Sequence, residues 1–382
     1  MSISEQTNDL VSIRIDKKLD RISLETSKPC IFRVSARLRN ENEKAYEPQI
    51  VAIGPYHRDK NNLQEIEDHK LLYLKLLLQR RKELRLNSYV MAMRDLEIKA
   101  RKCYAETINL SIDDFVEMMI LDGCFIIELL RKVRFKDLRN MNPDDPIFGR
   151  VQVGYSIIHD LMLFENQLPF FVLVVLFNMT KIQNARDNII SLALDFLGSS
   201  LPGPKVSETN GISADNVNHL LHLVHSSWCY SFAKKISSNR NHKWSLDEFI
   251  KSTTELRESG IKFKNAKEST SVLDIKFGNG VMEIPPLTIE DHTECVLRNL
   301  IAYEQYYHGN NVSVTYDNFC YGNVFHDVNK HCRRRWNIRL AKLRHNYFNS
   351  PWSTISFLAA AAVLLLTLAQ TIISALSYWK PK

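Results

Sequence analysis

Apolar positions recur at helical spacing through most of this chain, and strict alternation is confined to one short stretch. Leu71, Leu74 and Leu78, with Leu77 beside them, hold the i, i+3, i+7 spacing of one helix face, and Lys70, Lys75, Arg80 and Arg81 read as the polar face opposite. Ser111 and Asp114 resemble a capping box, and the run after it, FVEMMILDGCFIIELL, is apolar nearly all round. That pattern predicts a core helix, or a helix pair broken near Gly123. Leu168 to Phe177, LPFFVLVVLF, is ten residues long, too short to span a bilayer. It reads as a second core helix opening at Pro169. Residues 198–216 carry the Gly, Pro and small polar residues of a linker. Val217 to Ile236 then predicts a helix, and a capping box at Ser245 and Glu248 predicts another running toward Glu258. From Val272 to Leu287 the period changes to two, with Gly278, Asn279 and Gly280 in the middle. This is a β-hairpin signal, closed by Pro285 and Pro286. Thr288 and Asp291 read as the cap of a helix through LRNLIAYEQYY. The expected fold is mainly α: a flexible segment over 1–28, a helical domain over 29–345 with a small hairpin at 272–287, and one more helix at the end.

That last helix has a different character. No charged residue occurs from Asn346 to Trp379. Ile355 to Leu376 supplies 22 residues, ISFLAAAAVLLLTLAQTIISAL. At about 1.5 Å per residue they reach about 33 Å, enough for a hydrocarbon core of about 30 Å. The pattern predicts a transmembrane helix over 353–377 with a short tail at 378–382, its lipid contacts made by Ile355, Leu358, Val363, Leu366, Ile372 and Leu376. Trp352 at one end, and Tyr378 with Trp379 at the other, suit the two interfaces. The N-terminus shows no apolar core or cleavage site of a signal peptide, so a tail anchor is expected.

Composition adds little beyond globularity: 45% hydrophobic and 24% charged residues, with 12 Gly and 12 Pro, exclude a disordered or collagen-like chain. Charge changes the picture more. The formal net charge is +7, but residues from Arg333 onward hold eight Lys or Arg and no Asp or Glu, leaving 1–332 at −1. Arg333, Arg334, Arg335, Arg339, Lys342 and Arg344 form a basic juxtamembrane stretch within a helix expected over 324–345. By the positive-inside rule it keeps the large domain cytosolic, at the plasma membrane or an endomembrane. The mix of Arg with Trp336 there also fits nucleic acid, but its place beside the anchor favours the bilayer as partner, and no nucleic acid is expected. The seven cysteines are scattered, with no CxxC pair, and read as reduced thiols. The glycosylation spellings at Asn109, Asn178 and Asn311 are expected to be idle on a cytosolic domain.

Signatures of common chemistries are missing: no GxSxG, HExxH, GxxxxGK[ST] or post-strand GxGxxG occurs. His219, His222 and His225 recur every third residue, as metal ligands or, more simply, as a polar helix face. Cys320, His326, His331 and Cys332 have zinc-ligand chemistry without a zinc-site spacing. Asp122 and Glu165, with Asn166 and Gln167, interrupt apolar text. A buried carboxylate needs a partner, for which Arg101, Arg131 or a helix N-terminus are the candidates. Asp122 and Glu165 read as members of a structural network or, alternatively, as the acid or base of a hydrolase or transferase. No cofactor and no small-molecule substrate is implied.

Taken together, IGPYH at Ile53 to His57, ARKCY at Ala100 to Tyr104, DGCFIIELLR at Asp122 to Arg131, DPIF at Asp145 to Phe148, ENQLPFF at Glu165 to Phe171, LRNLIAYEQ at Leu297 to Gln305 and YFNSPW at Tyr347 to Trp352 resemble one plant family, the proteins carrying domain of unknown function 247. The departures are Ser35, where the family commonly has proline, Val174, where it often has glutamate, and a shorter stretch between Gln305 and the basic region. The resemblance implies a plant, membrane-anchored, mainly helical protein and brings no catalytic residues with it. Self-incompatibility in some grass relatives implies recognition or signalling. The function expected is a non-enzymatic, membrane-tethered interaction or regulatory module with a protein partner.

Overall fold

A computed structural model describes all residues except 1–8, 10, 13, 15–28, 61–62, 64, 81–84, 144, 183, 185, 204–211, 238–248, 267–270, 307–321, 335–338, 340–350 and 379–382. Most of the flexible segment read over 1–28 therefore lies outside the described residues, as do Arg81, the Ser245–Glu248 box, Cys320, Arg335, Lys342, Arg344 and Trp379. In chain order the labelled elements are α1 (Ala36–Glu41), α2 (Glu65–Arg80), α3 (Leu86–Arg101), α4 (Ile112–Arg134), α5 (Lys136–Asn140), α6 (Pro146–Gly149), α7 (Val151–Leu161), α8 (Phe170–Met179), α9 (Ile189–Leu197), α10 (Leu220–Ser237), α11 (Thr253–Glu258), β1 (Lys262–Asn265), β2 (Lys276–Gly278), β3 (Val281–Ile284), α12 (Thr293–Tyr306), α13 (Gly322–Cys332) and α14 (Pro351–Tyr378). The fold is helical with one small sheet, as expected. The chain divides into two compact units, one of Met1–Leu201, Ser207–Ser227 and Asp291–Tyr307, the other of Pro202–Val206, Trp228–Glu290 and His308–Lys382.

The first unit is organised around α4. Ser111 Oγ accepts the Asp114 N–H at 3.1 Å, Asp113 and Asp114 occupy the first turn, and Arg131, Lys132 and Arg134 the last. Both ends thus suit the helix dipole. Every residue from Met118 to Lys132 is buried, and α2, α3, α8 and α9 all pack against this helix. A fully buried Leu, Ile or Phe contributes roughly 1.5–3 kcal/mol, so α4 dominates the core. It is one continuous helix, not a pair broken at Gly123. A Cβ at Gly123 would collide with Leu176 Cδ1, so the glycine admits α8 closely instead of ending α4. That second core helix opens one residue later than expected, with Pro169 as its N-cap.

The face of α2 needs a larger correction. Leu74 and Leu77 are buried, but Leu71 is 54% exposed and Lys70 only 1%. The inner face is therefore Ile66, Lys70, Tyr73, Leu74 and Leu77, because α4 offers Lys70 an acidic partner.

In the second unit Leu256, Ile261, Met282, Val328 and Cys332 form a small core beside Phe263, Ile275 and Phe277. The helix expected from Ser245 to Glu258 is shorter. Residues 249–252 are not helical, and α11 opens at Ser252, whose hydroxyl takes the Glu255 N–H in a complete capping box. The hairpin forms with Phe277 opposite Met282 and a two-residue Asn279-Gly280 turn, both residues at positive φ (51° and 75°). That is the geometry a type I′ connection requires. Its strands are shorter than the alternation suggests, because Ser271 to Asp274 make a turn in which Ser271 O accepts the Asp274 N–H at 3.1 Å. A third strand, β1, adds parallel to β3 and completes the order β1-β3-β2. The last helix, α14, contains 25 residues from Trp352 to Leu376 that are long and apolar enough to cross a membrane, none of that window buried in the protein.

Candidate functional site

Residues 49–54 of the first unit pass from the surface at Gln49 into its interior, where Val51 to Gly54 are buried with no sheet to pair with, and buried backbone groups need partners. Side chains supply them. Asp160, at the end of α7, accepts the N–H groups of Gln49, Ile50 and Val51, each at 2.8 Å. Asn166 Oδ1 accepts the Ile53 N–H at 2.7 Å, while its Nδ2 donates to Val51 O and Asp160 O at 3.0 Å. Asp122 Oδ2 accepts the Gly54 N–H at 2.8 Å, and Lys70 Nζ donates at 2.6 Å both to Ala52 O and to Asp122 Oδ1. The polar residues that interrupt the apolar text are thus the cradle of one buried loop.

Glu165 and Gln167 extend this network. Gln167 Nε2 donates to Leu161 O and Leu163 O at 2.8 Å, and its backbone O accepts from Tyr104 Oη at 3.0 Å. Glu165 Oε1 takes the Val34 N–H at 2.6 Å and Arg39 Nη2 at 2.5 Å. Its Oε2 lies 3.5 Å from Arg33 Nη1 and 3.4 Å from His57 Nε2, at the outer edge of hydrogen bonding. Neither Arg101 nor Arg131 serves these carboxylates. Arg101 pairs with Glu97 at 2.6 Å, and Arg131 grips Asp187 with two bonds of 2.9 and 2.8 Å. Lys132 meets Asp145 at 2.7 Å, and Arg80 meets Glu128. The expectation failed because each charge is met by the element that packs beside it in the fold, which spacing along the chain does not show.

Environment separates the two candidate carboxyls. Burial pushes Asp122 above its usual value, and Lys70 and the Gly54 N–H only partly offset it. Burial would also raise Glu165, but its contacts with His57, the Val34 N–H and Arg39 outweigh this and hold it below its ordinary 4.5. Glu165 therefore adds stability above that ordinary value and gives it up as pH falls through its depressed folded value. Glu165→Gln is expected to cost about 1–3 kcal/mol at pH 7 and progressively less below pH 4.5. Urea titrations of both chains across that range check it; a gap that widens on acidification would contradict the assignment.

The three histidines form neither a polar surface nor a shared metal-facing row. His219, His222 and His225 are all buried, their rings 5.3, 5.6 and 5.2 Å from the Tyr303 ring on α12. Burial lowers His219 well below its usual value and His222 to about 4. Their Nδ1 atoms act as acceptors, from the His222 N–H at 3.2 Å and the Asn218 N–H at 3.0 Å, as neutral imidazoles can. His225 Nε2 instead meets Glu304 at 2.8 Å. In the second unit His326 is exposed, while Cys332 is a core residue and His331 packs on Phe277. On α14 the expected lipid-facing residues Ile355, Leu358, Val363, Leu366, Ile372 and Leu376 are all exposed, as are Arg333, Arg334 and Arg339 before it.

A family profile described as "Plant protein of unknown function", domain of unknown function 247, matches residues 31–316 and 309–366. The chain belongs to this family. Among its relatives in Arabidopsis thaliana, UPF0481 protein At3g47200 is 29% identical over 425 residues, covering 92% of this chain and 87% of the relative. Putative UPF0481 protein At3g02645 is 22% identical over 506 residues, covering 96% and 94%. Both alignments exceed the 382 residues of this chain, so these relatives carry segments that it lacks. No solved structure matches.

Three of the segments that carry the resemblance to the family meet at the buried loop: Ile53 to His57 contributes its backbone, Asp122 to Arg131 its anchor on α4, and Glu165 to Phe171 the Asn166 amide. Asp160 and Lys70 belong to the same constellation and were missed. Asp160 gives the signal Asp122 gives, a carboxylate in apolar text, whereas Lys70 looks like any lysine on an amphipathic helix.

Proposed function

We propose that this family member is a membrane-tethered interaction or regulatory module, held by α14 with residues 1–345 on the cytosolic side. The observation that carries the reading is the 25-residue apolar window of α14, none of it buried within the protein. An apolar surface of that length exposed to water is unfavourable, and a bilayer would cover it. The Arg-rich segment before it supports the orientation through the positive-inside rule and through attraction to an anionic leaflet. Asp122 and Asp160 spend their oxygens on backbone N–H groups, a lysine and the His159 ring, which supports a structural duty. Confinement to a surface would raise the effective concentration of the module toward a protein partner on the same membrane.

The full chain is expected to stay with membranes through an alkaline wash and to become soluble when residues 346–382 are removed. Protease added to sealed vesicles with their cytosolic face outward should digest the chain up to Trp352. Release by alkali, or protection of the large domain, would defeat the anchoring or the orientation respectively. For the interaction itself, affinity capture from detergent-solubilised membranes should recover a reproducible partner that is lost when residues 29–332 are deleted; its absence would count against the module.

A further inference from the structure

Two cysteines far apart in sequence are neighbours in the first unit. Cys103 O accepts both the Cys30 N–H at 2.9 Å and the Ile31 N–H at 3.0 Å, and Ile31 O accepts the Ala105 N–H at 3.0 Å. These bonds form a parallel bridge between Ile31 and Tyr104. The bridge is isolated and Cys103 itself lies in the turn after α3, yet the direct bond from the Cys30 N–H to Cys103 O sets the two cysteine backbones side by side. Residues joined directly by a backbone hydrogen bond come within reach of the Cα separation of about 4.4–6.8 Å that a disulfide tolerates. The two thiols act on each other electrostatically, Cys103 Sγ donates to Lys99 O at 3.5 Å, and neither residue is fully buried. We propose that Cys30 and Cys103 are a redox-active dithiol that closes reversibly to an intramolecular disulfide by exchange with a small disulfide such as oxidised glutathione.

The two thiols have different roles. The interaction with Cys30, with help from the Lys99 ammonium, holds the Cys103 thiol below its usual value although burial acts the other way. Cys30 is raised, first by that same interaction and then by burial. Cys103 as thiolate attacks one sulfur of glutathione disulfide, forming a mixed disulfide and expelling one glutathione thiolate, which takes up the proton Cys103 released. Cys30 then loses its proton and attacks Cys103 Sγ, forming the Cys30–Cys103 bond and expelling the second glutathione as a thiol. Two protein thiols are oxidised and one glutathione disulfide is reduced to two thiols. The bond would pin the segment that brings the Val34 N–H to Glu165 onto the turn after α3.

The test uses the full chain in detergent, equilibrated with oxidised and reduced glutathione and mapped without reduction. Cys103 and Cys124 fall between Lys102 and Arg131 with no Lys or Arg separating them, so a glutamate-specific protease is needed beside trypsin. The expected product joins the Cys30 and Cys103 peptides with the loss of two hydrogens, and dithiothreitol reverses it. Cys30→Ser should abolish the crosslink and trap one glutathione on Cys103, whereas Cys103→Ser should leave Cys30 unmodified. Both variants should melt as the parent does under reducing conditions. Free thiols at both positions in the oxidised buffer, a crosslink from Cys103 to another cysteine, or an unmodified Cys103 in Cys30→Ser would overturn the proposal.

Discussion

Replacing Lys70 with Met is expected to destabilise the first unit by about 3–5 kcal/mol, the cost of leaving a buried carboxylate without its counter-ion. Lys70 and Asp122 have side chains only 1% exposed and meet at 2.6 Å, and the same ammonium also donates to Ala52 O and Glu67. Met fills the space of the stem but satisfies none of these three oxygens. Burial already biases Asp122 toward its neutral form, so protonation relieves part of the loss, and the deficit of Lys70→Met should shrink as the pH is lowered. Adding Asp122→Asn removes the stranded charge and keeps an acceptor for the Gly54 N–H. The double variant should therefore be more stable than Lys70→Met alone, by about 1–3 kcal/mol of coupling. None of the five tryptophans lies in the first unit, so fluorescence is blind to it. Hydrogen exchange of the α4 amides in the detergent-solubilised full chain, with and without urea, reads the effect where it occurs. Exchange unchanged to within about 1 kcal/mol would mean that the ammonium is not held at Asp122.

The contrast between α4 and α2 shows which parts of this fold are legible in sequence. α4 and α8 are apolar on nearly every face, so burial follows from composition alone, and the α14 window is recognisable for the same reason. The Asn279-Gly280 turn is legible because a two-residue connection at positive φ leaves few alternatives. Lys70 is not, because its burial is decided by a carboxylate 52 residues away, and before folding a lysine among leucines on a helix belongs naturally to the wet face. β1 escapes for a similar reason: KFKN is too short to show a period, and its pairing with β3 is parallel and non-local. The candidate site divides along the same line. Asp122 and Glu165 announce themselves as polar atoms in apolar text, but their partners Lys70, Arg39 and Val34 come from distant segments that nothing local marks.

Gly54→Ala should be nearly as damaging, for a reason independent of charge. Gly54 sits at φ +72°, and a Cβ there would lie 2.6 Å from Gln167 O and 3.0 Å from Tyr104 Oη. The left-handed conformation costs an L residue roughly 1–2 kcal/mol, and forcing a methyl into a packed interior typically costs about 1–3 kcal/mol more. The obstructing atom is a backbone carbonyl fixed by its own bond from Tyr104, so it cannot turn aside as a side-chain end would. Asn tolerates positive φ better than Ala but carries the same Cβ, so Gly54→Asn separates the two causes. With dihedral strain alone, Asn would recover much of the loss; with the carbonyl in the way, it should recover little. A fall in melting temperature of about 5 °C or more is expected for both variants, together with faster exchange at Ile53 and Gly54, whose N–H groups rest on Asn166 and Asp122. A Gly54→Ala chain that melts with the parent would mean that the loop is not packed beneath Gln167. The polar side chains gathered there would then need another explanation, and catalysis by Asp122 or Glu165 would return as the leading one.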